Sequence, residues 1–320
     1  MNYKAIDMHC DTVPNLLYGN GQLRENDGHL SLLKMKKGGY MMQCFAMFVY
    51  LQSQDYTPFA QCNRYIDFYY EQINKNSDLI RPVTTAEEII ENDRNGLMSA
   101  MLTIEEGGVL EGKLENLQHF YDRGVRMMTL TWNFENEIGY PNYLSPPDFR
   151  PDTERGLKPF GFEVINKMWD LGMIVDVSHL NDAGIYDVLK CARKPIVASH
   201  SNSRTIMNFP RNLTDDMLVK LRQNGGITGI NYCPDFISAQ TDRNQIPDIV
   251  RHVKHIVEVA GIETLALGSD FDGIDTPVGM SDCTKTVQLA EALKEAGFSD
   301  DDLNKIYHEN FLRVLQANQR

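Results

Sequence analysis

Met173-Ile174-Val175-Asp176-Val177-Ser178-His179 is a short β-branched run that ends abruptly on polar residues, and Pro195-Ile196-Val197-Ala198-Ser199-His200 repeats the design. Runs of this length, apolar on both faces, read as strands of a buried parallel sheet. The amphipathic stretch between them, 182–191, supplies the crossover helix of a βα unit. Working outward, with the quoted runs counted as strands at 173–178 and 195–199, similar runs lie at 4–9, 41–49, 98–104, 125–131, 226–231 and 264–269. That makes eight. Helical patterns are predicted at 60–74, 86–95, 114–122, 159–171, 215–223, 247–260 and 286–296, with a last helix at 300–316. Thr214-Asp215-Asp216 opens one with a capping hydroxyl and acidic first-turn residues, and Gly261 and Gly297 stand where helix ends favour a left-handed residue.

Eight strands separated by helices fit a closed barrel or an open doubly wound sheet. The second usually carries a glycine-rich phosphate loop after its first strand, and neither GxGxxG nor GxxxxGK[ST] occurs. The expectation is an α/β fold, a (β/α)8 TIM barrel of the metal-dependent hydrolase type, forming one domain over residues 1–320. The stretch 133–158, rich in Pro and Asn and without periodicity, is expected to be a long loop over the barrel mouth.

Composition narrows the function. The chain has 320 residues, 42% of them hydrophobic and 23% charged, enough apolar surface for a full core. A net charge of −13 argues against a nucleic-acid or anionic-membrane surface, which requires clustered cations. There is no CxxC among the six cysteines, no 18-residue apolar run and no export signal at the N-terminus. A soluble enzyme with reduced cysteines, in the cytoplasm, is the expectation.

Barrel enzymes carry their chemistry at the C-terminal ends of the strands. Metal-ligand residue types recur there: His9-Cys10-Asp11, Glu105-Glu106-Gly107-Gly108, His179, His200 and Ser269-Asp270. Each has a plainer reading. A His-x-Asp is weak alone, an acidic pair before glycines is most often a solvated turn, and a lone strand-end histidine is more often a rim residue. Two histidines on successive strands reverse those odds. His9, Asp11, Glu106, His179, His200 and Asp270 are therefore expected to converge, with Glu106 as the carboxylate bridging two cations. Mixed imidazole and carboxylate ligands suit Zn²⁺, Mn²⁺ or Fe²⁺ and lead to hydrolysis. Asp272, beside Gly273, is expected to serve a turn. His252 and His255 read as a solvated helix face. His29, His119 and His308 have no partner pattern. The serines beside the histidines are not nucleophiles, since no GxSxG elbow is present.

These motifs together resemble the membrane dipeptidase (renal dipeptidase) family and its soluble bacterial members. The likeness runs over nearly the whole chain: His9-x-Asp11, Glu106-Gly107-Gly108, Thr129-Leu130-Thr131, Asp176-x-Ser178-His179, Ser199-His200-Ser201, Arg211-Asn212, Gly268-x-Asp270-Phe271-Asp272-Gly273 and the terminal Glu309-Asn310-Phe311-Leu312-Arg313-Val314. The resemblance implies a zinc-dependent dipeptidase with two Zn²⁺, acting on free dipeptides, including some with a C-terminal D-residue, and forming a homodimer. It implies His9 and Asp11 on one ion, His179 and His200 on the other, and Glu106 between them. Arg211 would hold the substrate carboxylate and Asp270 would move the proton. Where mammalian members have histidine after Thr-Leu-Thr, this chain has Trp132 and then Asn133. An indole donates one hydrogen bond and binds no metal, so oxyanion contact would pass to a metal ion or Asn133. That substitution keeps open a binuclear amidohydrolase for another amide, imide or lactone. A barrel that binds metal without turnover is the third reading.

Overall fold

The computed structural model describes residues 3–53, 55–143 and 150–320. Its strands are β1 (Ala5–Asp7), β2 (Tyr40–Phe48), β3 (Ile80–Val83), β4 (Met98–Glu105), β5 (Val125–Thr129), β6 (Ile174–Asp176), β7 (Val197–Ala198), β8 (Ile227–Ile230) and β9 (Leu265–Leu267). All pairings between them are parallel. A direct β2–β4 ladder, Met42 opposite Ser99 through Phe48 opposite Glu105, closes the ring of eight that runs from β1 through β2 and β4 round to β9. The closed (β/α)8 barrel is the expected one, and all eight predicted strands are present.

The ninth strand was not predicted. β3 pairs with the first half of β4 at the base, and its Arg81 and Pro82 are exposed. A four-residue strand carrying proline and pairing on one side has none of the periodic signal of a core strand. Helices Thr12–Gly19, Leu32–Lys37 and Pro234–Ile237 were missed as well, being too short to show a full apolar stripe. The predicted long helices match their observed spans to within two residues at either end, except that the last is interrupted by a π turn at Lys305–Glu309. Thr214 caps its helix through Met217 N, and Gly261 and Gly297 have φ of 82° and 102°.

Strand side chains alternate between two faces. Ile6, Met8, Met42, Met101, Met127 and Val197 fall in one buried cluster, the barrel interior, while Ala100, Leu102 and Ile104 of β4 belong to the layer packed under the helices. Four methionines inside a tapering barrel are reasonable, since the unbranched thioether adapts to irregular space. Helix Asn310–Asn318 closes the base with Phe311, Val314 and Leu315. The mouth is left for polar groups. Of the predicted loop 133–158, residues 144–149 lie outside the described residues; the remainder has no helix or strand, and Asn142 N donates to His179 O at the mouth. All six cysteines are free thiols, and among the described residues no helix is long and apolar enough to cross a membrane.

Candidate metal centre

Five strand ends bring their side chains to one buried point. His9 Nε2 lies 3.5 Å from Asp11 Oδ2, 3.3 Å from Glu105 Oε2 and 3.8 Å from Asp270 Oδ1. On the other side, Glu105 Oε1 is 3.1 Å from His179 Nε2 and 3.6 Å from His200 Nε2. Three groups of ligand atoms result, His9/Asp11/Glu105, Glu105/His179/His200 and His9/His200/Asp270. Glu105 belongs to two of them, and each of its oxygens faces a different histidine set.

This corrects the expectation for Glu106. Glu105 shares the parity of Met101 in β4 and so faces the barrel axis, whereas Glu106 follows the strand end with φ of 97° and turns away. Its carboxylate accepts from Gly108 N at 2.7 Å, Trp132 N at 2.8 Å and Asn136 Nδ2 at 2.5 Å. The last two tie the loop after β5 to the end of β4, while Gly108 N closes the turn that follows β4. Burial raises the Glu106 carboxyl to about 7, and the three donors oppose that rise. Gly107 is needed where it is, since a Cβ there would meet Leu130 O at 2.6 Å.

The histidines are held as lone-pair donors. Ser199 Oγ donates to Asp176 Oδ2, so it accepts from His200 Nδ1 at 2.7 Å, which places that proton on Nδ1. Asn133 Oδ1 accepts from His179 Nδ1 at 2.8 Å. Both Nε2 lone pairs then point at each other across 3.0 Å, an arrangement a cation between them explains. His9 Nε2 and Asp11 Oδ1 are buried without a hydrogen bond, and a Cβ on Gly273 would come within 2.1 Å of Asp11 Oδ2. Burial drives His179 and His200 well below the ordinary histidine value, which keeps them neutral. Burial pushes His9 the same way, but Glu105 and Asp11 override it and hold it well above. Burial, with Asp11 and Asp270 adding to it, raises Glu105, and burial with Asp11 raises Asp270. Three converging carboxylates demand positive charge, and together with three imidazoles they form a donor set that fits divalent metal.

The remaining predicted residues fall around this point. Asp270 Oδ2 accepts from Asn231 Nδ2 at 2.9 Å, leaving Oδ1 toward His9; Asn231, absent from the sequence reading, is completely buried. Arg211 is buried, donates to Ser201 Oγ at 3.2 Å and His200 O at 3.1 Å, and has an unpartnered Nε. Asn133 lines the cavity, where its carbonyl oxygen orients His179 and its amide nitrogen is the donor a substrate oxyanion would need. Trp132 lines it too. Asp176 accepts from Ser178 N, Ser199 N and Thr129 Oγ1, so the serines position ligands and are not nucleophiles. Asp272 stands in the turn before Gly273 with φ of 67°, and its carboxylate ties that turn to the segments after β1, accepting from Thr12 Oγ1 and His29 N.

The helix-face histidines need correction. His252 is fully buried, accepting from Ser203 N at Nδ1 and donating to Ile237 O through Nε2; only His255 reaches a surface carboxylate, Asp215 at 2.8 Å. The metal pocket has a volume of about 450 Å3. A larger cleft of about 720 Å3 near Lys190 and Lys220 has no histidine or carboxylate lining, so chemistry and not volume identifies the site.

Fold and site together define a metal-dependent hydrolase barrel. The chain belongs to the membrane dipeptidase family, peptidase family M19, whose sequence model matches residues 1–320. It is 37% identical over 231 residues to a protein in the pqqA 5' region of Klebsiella pneumoniae, covering 71% of this chain and 85% of that one. It is 32% identical over 339 residues to an uncharacterized dipeptidase of Schizosaccharomyces pombe, 99% and 80%. Among solved structures it resembles the metallopeptidase dipeptidase AC, with a TM-score of 0.92 at 26% identity over 99% of both chains. A Rhodobacter sphaeroides metallopeptidase liganded with a phosphinate mimic of L-Ala-D-Ala gives 0.91 at 25% identity, covering 99% and 100%. The protein is a metallo-dipeptidase.

Proposed function

We propose that the protein hydrolyses the peptide bond of free dipeptides at a centre of two zinc ions, with His9 and Asp11 holding one, His179 and His200 the other, and Glu105 bridging. The observation that carries this is the split of the Glu105 carboxylate, Oε2 at 3.3 Å from His9 and Oε1 at 3.1 Å from His179. Divalent ions held there would supply Lewis acidity and would lower the pKa of a water toward neutrality. Asp270, held through Oδ2 by Asn231, takes the proton of the attacking water at Oδ1 and returns it to the leaving amine. Arg211 pairs with the substrate's terminal carboxylate, a task for a planar guanidinium. Asp272 and Asp275, lining the same cavity, supply the negative charge that faces the terminal ammonium. The Rhodobacter sphaeroides ligand, a mimic of L-Ala-D-Ala, supports admitting a C-terminal D-residue.

The test is release of amino acids from L,L- and L,D-dipeptides, by protein stripped of metal and then reloaded with Zn²⁺. Zinc-dependent cleavage is expected, with N-acetylated, C-amidated and tripeptide substrates left intact. No cleavage by zinc-loaded protein would overturn the reading in favour of another small amide, imide or lactone.

A further inference from the structure

The metal pocket shares a wall with a second cavity. Trp132 and Asn133 face both, and beyond them Tyr50, Phe134, Pro141 and Tyr143 enclose a space of about 350 Å3 that the hydrolytic steps above do not use. Its aromatic side is ordered as a cluster: the Trp132 ring centroid is 5.9 Å from Tyr50 and 5.4 Å from Phe134, and those two are 5.2 Å apart. Offset and edge-on contacts at such distances fix ring orientation and leave ring faces for a ligand. Tyr50 is 44% exposed, so part of its ring is open to a ligand entering the cavity.

The charges at the rim answer one another. Arg155 pairs with Asp152 at 2.7 Å and stacks on Tyr140, and Lys158 pairs with Glu135 at 2.7 Å. Recognition in this cavity therefore falls to its rings. Glu106 fixes the shared wall, because its carboxylate accepts the backbone N–H of Trp132.

The direction of the substrate follows from the charges on either side of the ligands, with Arg211 held behind His200. The acidic residues Asp11, Asp270, Asp272 and Asp275 line it around the ends of β1 and β9, while Arg211 follows β7. A dipeptide lying across the ligands places its ammonium at the first and its carboxylate at the second. Arg211 donates to His200 O at 3.1 Å and Asn133 accepts from His179 Nδ1 at 2.8 Å, so the guanidinium and the wall shared with the aromatic cavity both border the His179/His200 pair. The residue whose carboxylate meets Arg211 is thus the one beside the aromatic cavity.

We propose that the cavity bounded by Tyr50, Trp132, Phe134 and Tyr143 is the subsite for the side chain of the substrate's C-terminal residue and selects aromatic side chains there. This deepens the dipeptidase reading and rests on it. The volume is in the range of small-ligand sites, roughly 300–1,000 Å3, and suits one ring rather than an extended peptide.

The experiment compares kcat/KM for Ala-Phe, Phe-Ala and Ala-Ala, using zinc-loaded wild type and the Tyr50→Ala and Phe134→Ala variants, each checked for a native melting transition. The wild type is expected to prefer Ala-Phe over Ala-Ala by about 10- to 100-fold, mostly in KM, with no such gain for Phe-Ala. Each variant should shrink the Ala-Phe to Ala-Ala ratio by about threefold or more, and Phe134→Leu should recover part of it. Equal use of all three dipeptides, or a ratio that neither variant changes, overturns the subsite while leaving the dipeptidase reading intact. A gain for Phe-Ala in place of Ala-Phe overturns the positional assignment. Failure to cleave any dipeptide overturns the function itself, and the subsite with it.

Discussion

The two ends of the barrel are built from the same strands and follow opposite rules. At the mouth, four of the six non-glycine residues with positive φ among the described residues are Glu106, His179, Asp270 and Asp272, and buried atoms such as His9 Nε2, Asp11 Oδ1 and Arg211 Nε make no hydrogen bond. Each such residue costs on the order of 1–3 kcal/mol and persists only where its surroundings over-determine it. At the base, Phe311, Val314 and Leu315 pack under the methionine-rich interior, and buried polar groups serve as ties: Asn310 Nδ2 donates to Ile262 O and Leu265 O, both at 2.8 Å. Stability is concentrated at the base, and strain with unmet polar demand at the mouth. Substitutions should therefore separate activity from stability according to the end they touch.

The largest separation is expected for Glu105→Gln. Glutamine keeps the shape but loses the charge and one acceptor, so it no longer serves both ligand sets; turnover should fall by about 10³-fold or more, on the order of 4 kcal/mol. Metal per chain, read by atomic absorption, should fall with it. The metal-free variant should melt no lower than metal-free wild type, because one of three crowded buried carboxylates has become neutral. Retained activity would remove Glu105 from the centre. Phe311→Ala should do the reverse: unfolding free energy should drop by about 3–5 kcal/mol, while kcat per folded, metal-loaded chain stays within about twofold. A matching loss of kcat would mean that base and mouth are coupled.

Much of this was legible in the sequence, and the misses have physical causes. The β-branched runs ending at His179 and His200 gave both the strand and the side chain that converges on the site, because strand type and strand-end chemistry coincide in a barrel. The expected bridge, Glu106, sits one residue past the carboxylate that meets the histidines, because strand parity and not the following glycines decides which side chain faces inward. Counting by twos from Met101, through Thr103, reaches Glu105 on the inner face. Asn231 gave no signal, since an asparagine before Tyr232 and Cys233 resembles any turn; its role arises only where the ends of β8 and β9 meet. His252 was misread as solvated because its helix carries charge at Arg251 and Lys254, while its own side chain faces inward to Ser203 and Ile237.

That inward histidine makes stability depend on pH. Burial lowers His252 to about 4, with Arg251 and His255 adding to the effect while Ile237 O and Asp248 oppose it. The folded value lies below the unfolded one, so the unfolded chain binds the proton first: stability is full above pH ~6.5 and is lost as pH falls toward 4, by up to about 3 kcal/mol. His252→Gln, which can still accept from Ser203 N and donate to Ile237 O, should flatten the fall in melting temperature between pH 7 and 5. An unchanged slope would assign the acid sensitivity to other buried groups.

The smallest expected effect is the one that best tests where the mouth is divided. Glu106 and Glu105 are adjacent buried carboxylates on opposite faces of one strand end, and only Glu105 meets the histidines. Glu106→Gln keeps acceptors for some of its three donors, while its amide N–H groups oppose either Trp132 N or Asn136 Nδ2. The loop bearing Trp132 and Asn133 should loosen without disturbing the ligands. The expected result is a loss of about tenfold in kcat/KM, near 1.4 kcal/mol, falling mostly on KM, with metal content and zinc affinity as in the wild type. Glu106→Asp, too short to span Gly108, Trp132 and Asn136 together, should behave similarly. Loss of zinc in either variant would return Glu106 to the metal centre and erase the distinction between the two faces of β4 on which the site assignment depends.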